Sequence, residues 1–436
     1  MELLIASTIL ILILTAFLGT FNSLLNTAQQ AKYISLALNR CLQKASEIQK
    51  KGFLESLFSN CSLGGSFDIY DEANNLIGKG NFTLKDRYDL YRVENATNTS
   101  AFPTGRERIS CVVFDNKIWV IGGFDGTYLD DVCYSEDGVN WNCTYSLPSP
   151  RASHTSVVFD NKIWVIGGYD GTNYLKEVCY SSNGANWTCK DSLPSGRILH
   201  TSVVFNDKIW VIGGFDGTNY LDDVCYSEDG VNWNCTYSLP SPRALHSSVV
   251  FDDKIWVIAG FNGTSYSDDV IYSTDGSTWN TATTNATGIQ RGCHVSVVYD
   301  GKMWILGGRD SFGTPYNDVW YSKNGNCWIK ATDNANWSKR YLHAGTVFKD
   351  RIWILGGYGN GYKKDVWSST GYGRLFEAKI TASFKLPNGR IIGEDKNLNG
   401  ILDAGEDLNG NGELDSPVFL KSFISKKKRG LYLGEQ

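Results

Sequence analysis

Lys162-Ile-Trp-Val-Ile-Gly-Gly168 is the stretch to which the chain keeps returning. Asn116–Gly123 reads NKIWVIGG, Asp207–Gly214 DKIWVIGG, Asp253–Gly260 DKIWVIAG, Gly301–Gly308 GKMWILGG and Asp350–Gly357 DRIWILGG. The tryptophans stand at 119, 164, 210, 256, 304 and 353, so the spacings are 45, 46, 46, 48 and 49 residues. A period of that size marks supersecondary units that cannot bury their apolar faces alone and must stack on one another.

Within the second repeat, His154–Phe159 reads as a short apolar strand and Asp160–Asn161 as its turn. The apolar run Ile163–Ile166 implies a strand buried on both faces. Val178–Ser181 and Asn186–Lys190 flank Asn183–Gly184, a hairpin signal. Four antiparallel strands per repeat is the content of one propeller blade. The glycine pair, the later Trp187 and the Pro-Ser-x-Arg junction resemble the kelch family, from Thr104 to about Ser369. The resemblance implies a β-propeller around a central channel. A fourth-strand tryptophan recurs at Trp141, Trp187, Trp233, Trp279 and Trp328, but none follows Val366–Trp367. Tyr88–Asn98 precedes Arg106 as Trp279–Thr287 precedes Arg291, so it is the expected source of the missing strand. The reading is mainly β: a six-bladed kelch-type propeller whose last blade is sewn from both ends, which hides its sheet edges.

The 436 residues allow more than one domain, and the net charge of −5 excludes a basic face for nucleic acid. Cys133/Cys143, Cys179/Cys189 and Cys225/Cys235 lie symmetrically about Gly138, Gly184 and Gly230. Blade four has Ile271 and Thr281 at these positions and blade five Trp320 and Lys330, so the cysteines come and go in pairs. That favours three cross-strand disulfides and an oxidising compartment over repeated buried thiols. Cys41 and Cys61 are candidates for a fourth bridge; Cys111, Cys293 and Cys327 lack an evident partner.

Leu3–Leu18 is apolar apart from Ser7, Thr8 and Thr15, long enough for a transmembrane helix, and a helical pattern continues through Gln29–Lys51. A cleaved signal peptide would need a basic start, and Lys32, Arg40, Lys44, Lys50 and Lys51 would orient an ordinary anchor with its body inside. Glu2-Leu-Leu-Ile-Ala-Ser, followed by this run, resembles the N-terminal helix of type IV pilins and type II secretion pseudopilins. The resemblance implies a single-pass protein of the cytoplasmic membrane with its body outside, other pilin-like subunits as partners, and Glu2 as the assembly glutamate. The leader and first mature residues of that family are missing here; the alternative for Glu2 is the interfacial residue of a signal anchor.

Near the other end, Asp395, Asn397, Asn399, Gly400, Ile401, Asp403 and Glu406 fit the ligand and turn spacing of an EF-hand loop for Ca²⁺. Alternate side chains on such a loop converge on one hard cation, and the last glutamate binds it through both oxygens. A second copy, Asp407, Asn409, Asn411, Glu413 and Asp415, has Val418 at its twelfth position and lacks that bidentate ligand. The expected organisation is a helix over 1–51, a short α/β segment over 52–98, the propeller over 99–370, and a small C-terminal β segment with the calcium loop over 371–436. Asp68–Tyr91 and Phe376–Phe423 are expected to pair, with the propeller inserted between them.

His154, His200, His246, His294 and His343 each follow an arginine by three residues, at one position of the repeat. Repetition alone places one residue type per blade, so the reading is structural: arginine caps the junction and histidine bonds between blades. Kelch enzymes such as the galactose oxidase group or bacterial sialic-acid epimerases need residues that break the symmetry, and the sequence shows no clear set. No catalytic residue is assigned. The favoured expectation is a binding module whose loops Phe124–Asp130, Tyr169–Tyr174 and Phe215–Tyr220 contact a protein or glycan; an exported carbohydrate enzyme and a structural minor pilin are the alternatives. Asn-x-Ser/Thr sequons occur, among them Asn81, Asn95, Asn262 and Asn336.

Overall fold

The computed structural model describes residues 35–43, 64–70, 74–87, 90–92, 102, 104–286, 288–369, 374–385, 391–392 and 418–426. The chain divides into two compact units, one spanning residues 87–373 and the other built from the segments before and after them.

The larger unit holds six four-stranded antiparallel sheets. Blade one runs Ser110–Phe114, Lys117–Phe124, Tyr128–Ser135 and Asn142–Ser146, in that order from the axis outward. Its inner hairpin turns on Asp115 and Asn116, with φ of 48° and 55°, and Phe114 pairs directly with Lys117. Two consecutive left-handed residues twist the backbone in the sense of the flanking strands, and Asp and Asn tolerate that region better than most side chains. The same turn recurs at Asp160–Asn161, Asn206–Asp207 and Asp252–Asp253.

The second strand is buried along almost its whole length, as its unbroken apolar run requires, since it is the interior of the sandwich between blades. Its tryptophan does two jobs. The Trp119 indole N–H donates to the Phe114 carbonyl at 3.0 Å, and the five other repeats keep this bond. The ring then lies flat against the hairpin glycine of the next blade. A Cβ on Gly184 would stand 2.2 Å from the Trp119 ring, and one on Gly138 2.2 Å from Trp353. These contacts require glycine there even apart from its positive φ.

Trp353 on Gly138 is the seam between blades six and one. Blade six comprises Ala344–Phe348, Arg351–Leu355 and Val366–Ser369, and its outer strand is Leu90–Arg92. Trp367 pairs with Arg92, Ser368 with Tyr91 and Ser369 with Leu90. The closing strand thus comes from ahead of the first repeat, as the spacing led us to expect, and the propeller starts before residue 99.

Around the axis, six residues with φ between 53° and 59° form a closed belt of backbone hydrogen bonds. Ser153 N–H donates to Arg108 O, Leu199 to Ser153, Leu245 to Leu199, Cys293 to Leu245, Leu342 to Cys293, and Arg108 to Leu342. A left-handed conformation costs a leucine about 1–2 kcal/mol; here each such residue gains a bond to both neighbouring blades.

The smaller unit contains a five-stranded sheet in which Leu76–Arg87 lies between Gly64–Tyr70 and Arg374–Lys385, the last also pairing with Ile391–Ile392 and Val418–Lys426. Two sequence expectations need correction. Among the described residues no helix is long and apolar enough to cross a membrane. The described helix is residues 35–43, about 14 Å at 1.5 Å per residue. Its apolar stripe faces protein rather than lipid: Ala37 and Cys41, one turn apart, are fully buried, and Arg40 Nε donates to the Asp68 carbonyl at 3.4 Å. The single long membrane-spanning helix, and the single-pass placement in the cytoplasmic membrane that followed from it, are therefore overturned by this finding; Leu3–Leu18 and Glu2 lie outside the described residues. Cys41 is a free thiol, which rules out the Cys41–Cys61 bridge, and burial pushes it up to about 12. Cys327 is disulfide-bonded, a pairing its sequence position did not reveal.

Because the ring is closed, the seam tryptophan is as costly to lose as one inside the array. Trp353→Ala and Trp210→Ala, both 3% exposed, are each expected to lower unfolding free energy by about 3–5 kcal/mol in urea titrations. A markedly smaller loss for Trp353→Ala would mean that blades six and one separate before the rest unfolds.

Candidate functional site

Each blade opens with a buried arginine. Arg197 donates to both oxygens of Asp223 at 2.8 and 2.7 Å, and to the Gly213 carbonyl at 3.2 Å. Arg243 with Asp269, Arg291 with Asp318 and Arg340 with Asp365 repeat the bidentate pair. Arg106 meets Asp131 through one nitrogen at 2.5 Å, and Arg151 meets Glu177. Burial pushes the Asp269 and Asp365 carboxyls up, but the bonds and charge of Arg243 and Arg340 outweigh it and hold both below the usual range. These guanidiniums are thus structural and are not available to a ligand.

Three residues on, the histidines stand behind the axial belt. His200 Nε2 meets Thr155 Oγ1 at 3.0 Å, His246 meets Thr201 at 2.8 Å and His294 meets Ser247 at 2.7 Å, each across a blade boundary. His343 faces the same position of its neighbour, where Val295 has no hydroxyl, and its ring nitrogens have no hydrogen-bond partner among the described residues. The imidazoles do not converge. The groups of metal-type ligands found among the described residues are Asp131, Cys133 and Cys143 and their equivalents in blades two and three. Their sulfurs are bridged, Cys133–Cys143, Cys179–Cys189 and Cys225–Cys235, and their carboxylates are held by arginine. Neither set fits a metal ion.

The belt and the histidines line an axial cavity of about 120 Å³. Around its mouth runs a crown of half-buried aromatic rings. Phe124 contacts Tyr128 at 4.9 Å between centroids, Tyr128 contacts Tyr169 at 5.5 Å, and the chain continues through Tyr174, Phe215, Tyr220 and Phe261 to Tyr266. On the far side Tyr341, Tyr358 and Tyr362 lead back to Phe124, the last step at 6.0 Å. The three loops marked as contact surface in the sequence carry the first part of this crown.

One arc of the crown is different. Arg309 occupies the ring position between Tyr266 and Tyr341, with its guanidinium 4.8 Å above the Tyr341 ring. Beside it are Cys293 of the belt, Glu107 and Arg108; Arg108 Nε lies 3.2 Å from Glu107 Oε1 and its guanidinium 5.9 Å from the Phe124 centroid. Burial raises the Glu107 carboxyl, opposed by the charges of Arg108 and Arg309. Burial likewise pushes the Cys293 thiol to about 11 and raises the Tyr266 and Tyr341 phenols, with Arg309 working against it in each case. Two cations and one anion thus crowd one arc of the mouth. These residues break the repeat symmetry, and the sequence reading did not find them. The signal was present: Glu107-Arg108-Ile109 stands where other repeats have Ala152-Ser153-His154 or Ala244-Leu245-His246, and Arg309 where they have Phe or Tyr. Glu2 and the calcium-loop residues from Asp395 to Asp415 lie outside the described residues.

The buried imidazoles give a pH prediction. Burial first, then the adjacent arginine, lowers His154, His200, His294 and His343 to about 3 and His246 well below its ordinary value. Folded, they are neutral; unfolded, they charge below about pH 6.5. The unfolded chain then binds more protons, so stability is full above that pH and is lost as pH falls toward 3, by up to about 1.4 kcal/mol per pH unit per histidine. The urea midpoint is expected to drop sharply between pH 7 and pH 5, and His200→Gln to flatten that slope by about one proton; a flat profile would mean that the rings titrate in the folded state.

Among curated proteins none matches this sequence. A solved structure entitled "Structure of YjhT" aligns with a TM-score of 0.53 at 18% identity, over 63% of this chain and 95% of that one. At that identity the likeness concerns the fold alone. The profile described as the KLHDC2/KLHL20/DRC7 Kelch-repeats domain matches three overlapping stretches, residues 87–228, 139–288 and 231–370. Together they run from the closing strand to the end of blade six, more than half of the sequence, and the chain belongs to the kelch-repeat family.

Proposed function

We propose that the propeller is a protein-binding module that takes its partner on the aromatic crown, with an acidic group of that partner seated at Arg108 and Arg309. Kelch domains of this family serve generally as binding scaffolds, which supports the class of activity. The observation that carries the finer reading is the asymmetric arc. A crown made only by repetition offers six equivalent positions and no register. Arg108 and Arg309 stand beside half-buried aromatic rings against one buried carboxylate, Glu107, with Asp125 farther out near Tyr362, and offer a place for one anionic anchor among apolar contacts. Tyr362, 37% exposed, and Phe312, 92% exposed, supply apolar surface on the neighbouring loops, and Tyr174, 37% exposed, extends the crown on blade two.

The test is an array of random peptides probed with the full chain, with hits measured by titration. Acidic peptides are expected to dominate, and Arg309→Ala to weaken them at least tenfold with folding intact by circular dichroism. Equal affinity of wild type and the Arg108→Ala/Arg309→Ala double variant would remove the anchor from this arc. A carbohydrate-acting enzyme is the second reading, favoured by the juxtaposition of Glu107 with the two arginines; turnover of a sugar substrate that Glu107→Gln abolishes would select it.

Calcium binding at Asp395, Asn397, Asn399, Ile401, Asp403 and Glu406 is a further proposal and rests on the sequence pattern. Millimolar Ca²⁺ is expected to raise the thermal midpoint of the full chain and Glu406→Gln to abolish that rise; no response of the wild type refutes it.

A further inference from the structure

The outermost strands of the blades carry a motif that the crown does not use. Asn142-Cys-Thr144 and Asn234-Cys-Thr236 are sequons, and each asparagine opens the fourth strand of its blade, Asn142–Ser146 and Asn234–Ser238. Along both strands exposure alternates, so that Asn142 and Thr144, and likewise Asn234 and Thr236, point to solvent on the same side. Thr144 Oγ1 donates to Asn142 Oδ1 at 2.8 Å, and Thr236 Oγ1 to Asn234 Oδ1 at 2.8 Å. The hydroxyl therefore engages the amide oxygen and leaves Nδ2 facing solvent. The residue between them is half of a disulfide in each case, and disulfides form in the oxidising compartments where asparagine-linked glycans are also added.

From this arrangement we infer that Asn142 and Asn234 are N-glycosylation sites on the outer rim of blades one and three. In the transfer, Asn Nδ2 attacks the anomeric carbon of a lipid-linked sugar diphosphate. The anomeric C–O bond breaks as the C–N bond forms; the diphosphate lipid leaves with the electron pair, and the proton that the amide nitrogen loses is released to solvent. Nothing is oxidised or reduced. A glycan at each position covers the outer edge of the sheet, where no strand pairs with the fourth and another extended chain would otherwise add. Asn262 lies in a loop and not on an outer strand, and its Oδ1 accepts two backbone N–H groups, of Thr264 and Ser265, at 2.9 Å, where Asn234 Oδ1 accepts one, from Thr236 at 3.2 Å.

Blade four supplies an internal control. Asn280 is exposed and opens the fourth strand Asn280–Thr283 as Asn142 does, but Ala282 stands where the hydroxyl is needed. The experiment incubates the disulfide-intact full chain with a purified N-glycosyltransferase and a lipid-linked oligosaccharide, with an acceptor peptide confirming that the enzyme is active, and maps sugar by peptide mass spectrometry. Sugar is expected on Asn142 and Asn234 and none on Asn280. Thr144→Ala should abolish transfer at Asn142 while leaving Asn234 unchanged, and Thr144→Ser should retain it. No transfer to Asn142 and Asn234, or equal transfer to Asn280, overturns the assignment.

Discussion

An arginine at the start of each blade ties the ring together with both its charge and its backbone. The guanidinium is buried against a carboxylate on the third strand of its own blade, while its carbonyl accepts the N–H of the second glycine of the blade before it, from Gly123 to Arg151 at 2.9 Å and so on round to Gly357 and Arg106 at 2.8 Å. Burying a charge is costly unless it is paired, and a bidentate partner with a backbone acceptor completes the guanidinium's needs. The charge thereby fixes where the backbone carbonyl sits, and the carbonyl fixes the next blade. The cycle returns to its start only when six units are present and the strand Leu90–Arg92 completes the sixth. Histidines, belt and cavity inherit their positions from this cycle.

The fold was legible in the sequence to the extent that it is periodic. One tryptophan per repeat, an Asx turn after each inner strand and cysteines placed symmetrically about a glycine are local signals, and each names a contact within a blade or across one boundary. The closing strand could be inferred because a missing tryptophan leaves a visible gap. What periodicity hides is the departure from it. Glu107 and Arg309 are 202 positions apart in sequence, and only closure of the ring puts them on one arc. A residue that differs from its five counterparts looks like drift until its neighbours are known. At the N-terminal end the error was of another kind: an amphipathic pattern fits a helix packed on protein as well as one continuing from lipid, and the burial of Ala37 and Cys41 decides for the first over residues 35–43.

The histidines show how repetition can mimic chemistry. Five imidazoles at one radius suggest a metal or a base, yet three of them bond the hydroxyls of Thr155, Thr201 and Ser247 on adjoining blades. The cross-blade bond is absent elsewhere: among the described residues neither His154 and the buried Ser110 hydroxyl, nor His343 opposite Val295, has such a partner, and blade one carries Ile109 in place of histidine. A metal site would have kept its ligands and varied around them. Here the bond is made by three histidines and is missing even where Ser110 and His154 keep both groups, as expected of a packing contact.

The position two residues after each blade's carboxylate carries the same logic outward. In blades one to three it is a cysteine, and the bridged sulfur lies 3.8 Å from Asp131 and 3.6 Å from Asp223 in the first and third. Blade four has Ile271 there, and Ser267 Oγ donates to Asp269 at 2.5 Å from the other side. In blades five and six it is tryptophan, whose indole N–H donates to Asp318 at 2.7 Å and to Asp365 at 2.5 Å. Each blade keeps the arginine–carboxylate pair and varies what shields it. The disulfide also locks the outer hairpin; in blade five Lys330 instead reaches over Trp320, 4.9 Å from the ring, across the same two strands. The cysteines are thus one solution among several to a constraint set by the buried arginine, which is why blades four to six do without them and the ring stays closed.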